Sequence, residues 1–330
     1  MTLNLLIKLP IATDIVFRYF CNNSSSSLHS RYEYAKFGFK SIATNARKYG
    51  DRSLYNLPAN PELQTLESKK LQKESLRKSH FDVDLIQSFS VQKAGNAISE
   101  CEDIWNCVIR NPIVSIALSD GATESSFTRE WARALVTAFT DRQLPWQEVY
   151  ACSSTWLLPL RTAWQQWLGQ QELSWFAKRK AGEGAFATFV SLEMFADLSW
   201  KSLAVGDSCL FVVRDRTLQK SFPLHNSHEF NNRPRLIGTN VKAANINISQ
   251  IHGVAKCGDH FYLATDAIAC WIFKQIEANQ DPWVKLEQIR TQDLFETWVD
   301  ELRDHHEIAN DDTTLLCLKI QDAAEVHCEL

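Results

Sequence analysis

Apolar and polar positions along the 330-residue chain change their spacing as it runs. Over residues 1–80 the apolar patches are short and interrupted, first by Lys8, Pro10 and Asp14 and then by the polar run NNSSSS at 22–27. Between Glu62 and His80 charge is dense, with Lys69, Lys70, Lys73, Arg77 and Lys78 set against Glu62, Glu67 and Glu74. Such a run reads as a solvated helix face or a flexible arm before it reads as a docking segment. Residues 1–80 are therefore taken as an appendage, 81–322 as one organised domain and 323–330 as a tail.

Within 81–322 the spacing becomes regular. IQSFSV at 86–91 alternates with period two, as a strand does. IVSIALS at 113–119 is an unbroken apolar run of buried-strand length, and it stops at Asp120-Gly121. TREWARALVTAFT at 128–140 puts Trp131, Leu135, Val136 and Phe139 on one helical face. Two further helices are expected at 153–171 and 173–180, with Trp156, Trp164, Trp167 and Trp175 as core aromatics. From 187 the period returns to two, predicting strands at 187–194, 200–205, 209–214 and 217–222, with a turn at Val205-Gly206-Asp207-Ser208. FYLA at 261–264 is another buried strand, followed by helices at 267–278, 284–290 and 293–306 and a closing strand at 315–320.

Composition narrows the class. With 45% hydrophobic residues, 11 Trp and 18 Phe the chain can bury a large core, and a net charge of −4 gives no bulk attraction to nucleic acid or an anionic membrane. No early apolar run reaches the roughly 20 residues of a membrane span, and the start lacks the features of a secretion signal. The nine cysteines are odd in number, scattered and never spaced CxxC. Free thiols in a reducing compartment fit that pattern better than a disulfide framework or a zinc site, so a cytoplasmic location is expected. No nucleotide loop and no G-x-S-x-G elbow occurs. His305-His306 reads as a helix cap rather than as a ligand pair.

Four acids stand where a strand begins or ends: Asp103, Asp120, Asp266 and Asp311. Singly, each is an ordinary turn or cap residue. Brought together at one rim they would repel strongly, so convergence would imply cations. Oxygen-only ligation without His or Cys points to Mg²⁺ or Mn²⁺. Two such ions can acidify a water and aim it at phosphorus or a carbonyl.

The ordered series resembles the metal-dependent protein phosphatase family (PPM type, type 2C), in a divergent bacterial form. Cys101-Glu102-Asp103 is similar to its first acidic motif and Ser119-Asp120-Gly121-Ala122 to its Asp-Gly motif. Gly184-Ala185-Phe186-Ala187-Thr188, Val205-Gly206-Asp207-Ser208, Ala264-Thr265-Asp266-Ala267 and Asp311-Asp312-Thr313-Thr314 resemble the motifs that follow, in the same order. The resemblance implies an α+β fold, a four-layer αββα sandwich of two antiparallel sheets flanked by helices. It implies two Mn²⁺ or Mg²⁺ ions with Asp120 bridging and the Gly121 carbonyl binding one. Asp266 and Asp311 would complete one shell, Asp103 would orient bound water, and Asp207 would approach a third, weaker site. The activity implied is hydrolysis of phosphoserine or phosphothreonine in a phosphorylated protein, by direct attack of a metal-bridged hydroxide.

Two positions depart from the family pattern. Ile98 stands where many members place a phosphate-binding Arg, and Ala122 where a His often follows Asp-Gly. Arg233 or Arg235 is a candidate replacement for the missing charge. The departures keep a second reading open, a pseudophosphatase-like module that holds a phosphorylated partner with little turnover. A different metal-dependent hydrolase is the third.

Overall fold

The computed structural model describes residues 86–110, 113–123, 125–141, 154–231, 233–240 and 246–321. The expected appendage (1–80) and tail (323–330) lie outside the described residues, so neither boundary is fixed by them. Among the described residues twelve strands and the helices between them appear in the order β1 (Ile86–Val91), β2 (Ile104–Arg110), β3 (Ile113–Ser119), α1 (Thr128–Thr140), α2 (Leu158–Gly169) and α3 (Trp175–Gly182). There follow β4 (Phe186–Ala187), β5 (Phe189–Met194), β6 (Ser199–Val205), β7 (Cys209–Arg214), β8 (Thr217–Phe222), β9 (Ile237–Gly238), β10 (Ser249–Val254) and β11 (His260–Ala264). The last elements are α4 (Asp266–Glu277), α5 (Pro282–Gln288), α6 (Gln292–Asp304) and β12 (Thr313–Lys319).

The strands form two antiparallel five-stranded sheets, ordered β1-β12-β11-β7-β8 and β10-β6-β5-β3-β2, with a small β4-β9 pair beside them. Alternation along each strand sorts side chains into three cores. Val114, Ile116 and Leu118 of β3 and Val190 and Leu192 of β5 face Leu210, Val212, Phe261, Leu263, Leu316 and Leu318 of the other sheet. The opposite faces are covered too. Trp131, Leu135 and Phe139 of α1 and Leu160 and Trp164 of α2 pack over the second sheet. Ile268, Ile272, Phe295 and Val299 of α4 and α6 pack over Phe211, Tyr262 and Leu315 of the first. Helix, sheet, sheet, helix is thus the layer order, the expected αββα sandwich. Both faces of the central strands are buried, which is why they read as continuous apolar runs.

Five sequence expectations change. The strand expected at 187–194 is broken at Thr188 into β4 and β5, because that residue bonds across to Asp120. Helix α4 starts on Asp266 itself, with Thr265 as its N-cap residue. Trp175 is 76% exposed rather than core: it opens the short helix α3, in which only Ala181 is buried. The first residues of the helix expected from 153 form a 3-10 turn (Ser154–Leu157) ahead of Pro159, which sits in the first turn of α2. Strand β10 was not expected; its residues are alternately half-buried and exposed at a sheet edge. The described cysteines are all free, and Cys257 is exposed while Cys101 and Cys209 are buried. Among the described residues no helix is long and apolar enough to cross a membrane.

Candidate metal centre

Strand register brings the acids to one rim. Ile104 pairs with Ser119 across β2 and β3, so Asp103 and Asp120 lie side by side where those strands begin and end. Ala264 pairs with both Leu315 and Cys209, which sets Asp266, Asp311 and Asp207 at the corresponding edge of the other sheet. One hydroxyl joins the two edges. Thr265 Oγ1 donates to Asp103 Oδ2 at 3.1 Å and accepts from the Thr314 amide at 2.9 Å.

Thr188 holds the bridging candidate in place from the other side. Its amide donates to the Asp120 carbonyl at 2.8 Å, and its hydroxyl accepts from the Asp120 amide at 3.1 Å. The same hydroxyl is 2.8 Å from Ser208 Oγ, beside Asp207, and Ser119 Oγ donates to the Thr188 carbonyl at 2.5 Å. Two glycines permit this closeness. A Cβ on Gly121 would stand 2.9 Å from Thr128 Cβ and 3.1 Å from Glu102 Cβ. Gly206, at φ +103°, would place one 2.8 Å from Thr188 and 3.0 Å from the Arg235 carbonyl.

The last motif divides its labour. Asp312 is buried, and its carboxylate accepts from the Lys93 amide at 2.7 Å and the Glu102 amide at 2.6 Å, tying the first acidic motif to the start of β12. Asp311 keeps a partly open side chain that accepts from the Asp312 amide at 2.9 Å and lies 3.7 Å from Lys93 Nζ. Arg303 donates to the Asp311 carbonyl at 2.8 Å and to the Gln92 carbonyl at 3.0 Å, fastening the turn to the end of β1.

The electrostatics match a shared rim. Burial, and then the charges of Asp103, Asp266, Asp311 and Asp207, push the Asp120 carboxyl well above the usual range. Asp103 is raised by burial and by Asp312, and Asp207 by burial and by Asp266, to about 7. Asp266 rises to about 6 through burial and Asp311, and Lys93 draws it back down. The Cys101 thiol, pushed up to about 12 by burial and by Asp103 and Asp312, is not a nucleophile at neutral pH.

Among the described residues no three His, Cys, Asp or Glu side chains are drawn in closely enough to enclose an ion as they stand. Like charges resist such closure. Two oxygens nevertheless fit a cation: Asp103 Oδ1 and Asp207 Oδ1 are buried with no hydrogen-bond partner, in side chains of residues 6% and 7% exposed. A buried carboxylate oxygen without a donor is costly, and a hard cation relieves it. The donor set is oxygen throughout, which suits Mg²⁺ or Mn²⁺. Sequence reasoning had placed Asp103, Asp120, Asp207, Asp266 and Asp311 in a series; it missed the roles of Thr188, Thr265, Asp312 and Lys93. The first three stood inside the quoted motifs. Lys93 carried no signal. Arg233 and Arg235 are exposed, and the Arg235 carbonyl lies against the Gly206 turn.

No protein-family model and no curated protein matches the chain. Solved structures do. A bacterial serine phosphatase is similar over 74% of this chain and 99% of its own, with TM-score 0.48 and 15% identity. The S. agalactiae serine/threonine phosphatase matches 72% of this chain and 100% of its own, at TM-score 0.48 and 15% identity. RsbX in complex with magnesium matches 72% and 96%, at TM-score 0.39 and 16% identity. Superpositions this loose assign neither an activity nor a site.

Proposed function

We propose that the rim is the two-metal centre of a serine/threonine protein phosphatase of the PPM type. The observation that carries the reading is that five aspartates from two sheets lie along one rim within electrostatic reach of Asp120, two of them with orphaned buried oxygens, in the family's motif order. Asp120 with the Gly121 carbonyl, Asp266 and Asp311 would hold two Mn²⁺ or Mg²⁺ ions, and Asp207 a third, weaker one. Such ions supply an acidified water and neutralise charge on a phosphoryl group. The chain's own part is positional. Thr188 fixes the Asp120 backbone, Thr265 turns Asp103 so that its free Oδ1 can accept from a bound water, and Arg303 and Asp312 hold the Asp311 turn. Lys93, 3.7 Å from Asp311, would take the phosphate-facing charge that Ile98 does not provide. The substrate is a phosphorylated protein, and the free, scattered thiols suit a cytoplasmic setting.

Hydrolysis of p-nitrophenyl phosphate and of a phosphoserine peptide with added Mn²⁺ or Mg²⁺, compared with Asp120→Ala, tests the reading. Metal-dependent turnover that falls at least about 100-fold in the variant supports it, since a preorganised charge site contributes roughly that much or more. Absence of metal-dependent turnover on both substrates sinks it. Ile98, 73% exposed where many members of the resembled family carry Arg, favours a second reading, a module that binds a phosphorylated partner without hydrolysis. Metal-dependent phosphopeptide binding with no turnover distinguishes that case.

A further inference from the structure

Adjoining the rim, with which it shares Asp103, an open pocket of about 410 Å³ is lined by Ser90 of β1, by Trp105 and Asn106 of the edge strand β2 and by Arg133 and Thr137 of α1. Its chemistry is set by α1. Arg129, Arg133 and Thr137 recur every four residues, so they share one face of the helix. Arg133 is half-buried, and among the described residues its guanidinium has no carboxylate or carbonyl acceptor. Burial alone lowers its affinity for the proton. One turn earlier, Arg129 donates through Nη1 to the Ser99 carbonyl at 3.0 Å, while its buried Nε has no partner. Two cations four residues apart repel, and an arginine fork is left open in a cavity. The one acid in the lining, Asp103, spends Oδ2 on Thr265 and belongs to the rim.

We infer that this pocket is an oxyanion-binding subsite, with Arg133 as its anchor, and that its occupant is an acidic side chain of the phosphoprotein substrate. A guanidinium takes carboxylate, sulfate or phosphate oxygens in pairs. Thr137 adds a hydroxyl, Asn106 is held in the lining by its Nδ2 donating to Thr140 Oγ1 at 2.8 Å, and the partly exposed Trp105 gives the pocket an aromatic wall. Because Asp103 lines both sites, an anion here stands next to the reacting phosphoryl group. The peptide source rests on the phosphatase reading above; the oxyanion chemistry does not.

Two measurements on the full chain separate these. Inorganic sulfate is titrated into metal-free protein at constant ionic strength, following tryptophan emission and subtracting the response of Trp105→Phe. Wild type should give a saturable change, weakened about 10- to 100-fold in Arg133→Gln and less in Arg133→Lys, as loss of a charge-assisted pair requires. Circular dichroism confirms that the variants fold. An Arg133→Gln titration equal to wild type, or a wild type without saturation, overturns the subsite. With Mn²⁺ present, KM is compared for phosphoserine peptides flanked by aspartates or by asparagines. A preference for aspartate that disappears in Arg133→Gln while kcat holds supports the peptide source. Sulfate binding through Arg133 without that preference overturns the peptide source and leaves a free small oxyanion as occupant. If no peptide is turned over, the phosphatase reading fails alone and the sulfate titration still decides the subsite.

Discussion

Asp207→Asn should stabilise the metal-free protein at alkaline pH and leave it unchanged in acid. Burial and the neighbouring Asp266 raise this carboxyl from the ordinary 3.8 to about 7 in the folded chain. The folded state then binds more protons than the unfolded state between those values, so stability falls as pH rises through the window. Below about pH 4 the carboxyl is neutral in both states and costs nothing. Above about pH 7 the ionised group costs about 4 kcal/mol, at about 1.4 kcal/mol per tenfold. Asparagine has the same shape and does not titrate. The variant should therefore gain about 2–4 kcal/mol over wild type at pH 8 in EDTA, which for a domain of this size raises Tm by about 4–16 °C. Thermal unfolding at pH 4.5, 6 and 8 reads the difference, and Mn²⁺ at pH 8 should shrink it by stabilising wild type more than the variant. Equal melting of the two proteins at pH 8 in EDTA would refute the buried, charge-crowded rim from which the magnitude is worked.

Other perturbations test the scaffold around the rim. Asp312→Ala leaves the Lys93 and Glu102 amides without acceptors and should cost about 2–5 kcal/mol by denaturant unfolding; Asp312→Asn keeps one acceptor, removes a charge that raises Asp103, and should cost clearly less. Gly206→Ala meets Thr188 at 2.8 Å from a positive φ, and should lose about 1–3 kcal/mol together with metal affinity measured by calorimetry. Asp259→Ala breaks a bidentate pair with Arg214 at 2.6 and 2.8 Å and orphans the Lys256 amide, so a loss of about 1–3 kcal/mol from the unpaired amide is expected with Mn²⁺ affinity unchanged.

The layers were legible in the sequence because burial on both faces leaves an unmistakable trace. The runs at 113–119 and 261–264 read as buried strands, 209–214 as a strand of a meander, and the α1 stripe from Trp131 to Phe139 as one face of a helix. Edge strands leave less. Strand β10, with Gly253 and His252 among half-exposed neighbours, has neither an apolar run nor clean alternation. The acids were legible as a series because each sits beside a strand end. What joins them was not. Thr188 and Thr265 act through hydroxyls that bond across 68 and 162 residues of chain, and no local spacing marks such a partner. Trp175 shows the opposite failure: a large aromatic at helical spacing invites a core assignment, but a short amphiphilic helix with one buried residue has no second face to press it into.

The Thr265–Asp103 bond has one more consequence. It is one of the bonds by which the β2–β3 edge of one sheet meets the β11–β12 edge of the other, and the carboxylates on the two sides belong to different halves of the sandwich. A cation shared between them would act as a cross-link, holding the open end of the two sheets together. Folding and metal uptake would then be linked quantities: at 100 times its Kd an ion adds about 2.7 kcal/mol to stability. The concentration of the free ion would set how firmly that end of the molecule is shut, whether or not any phosphate ester is present.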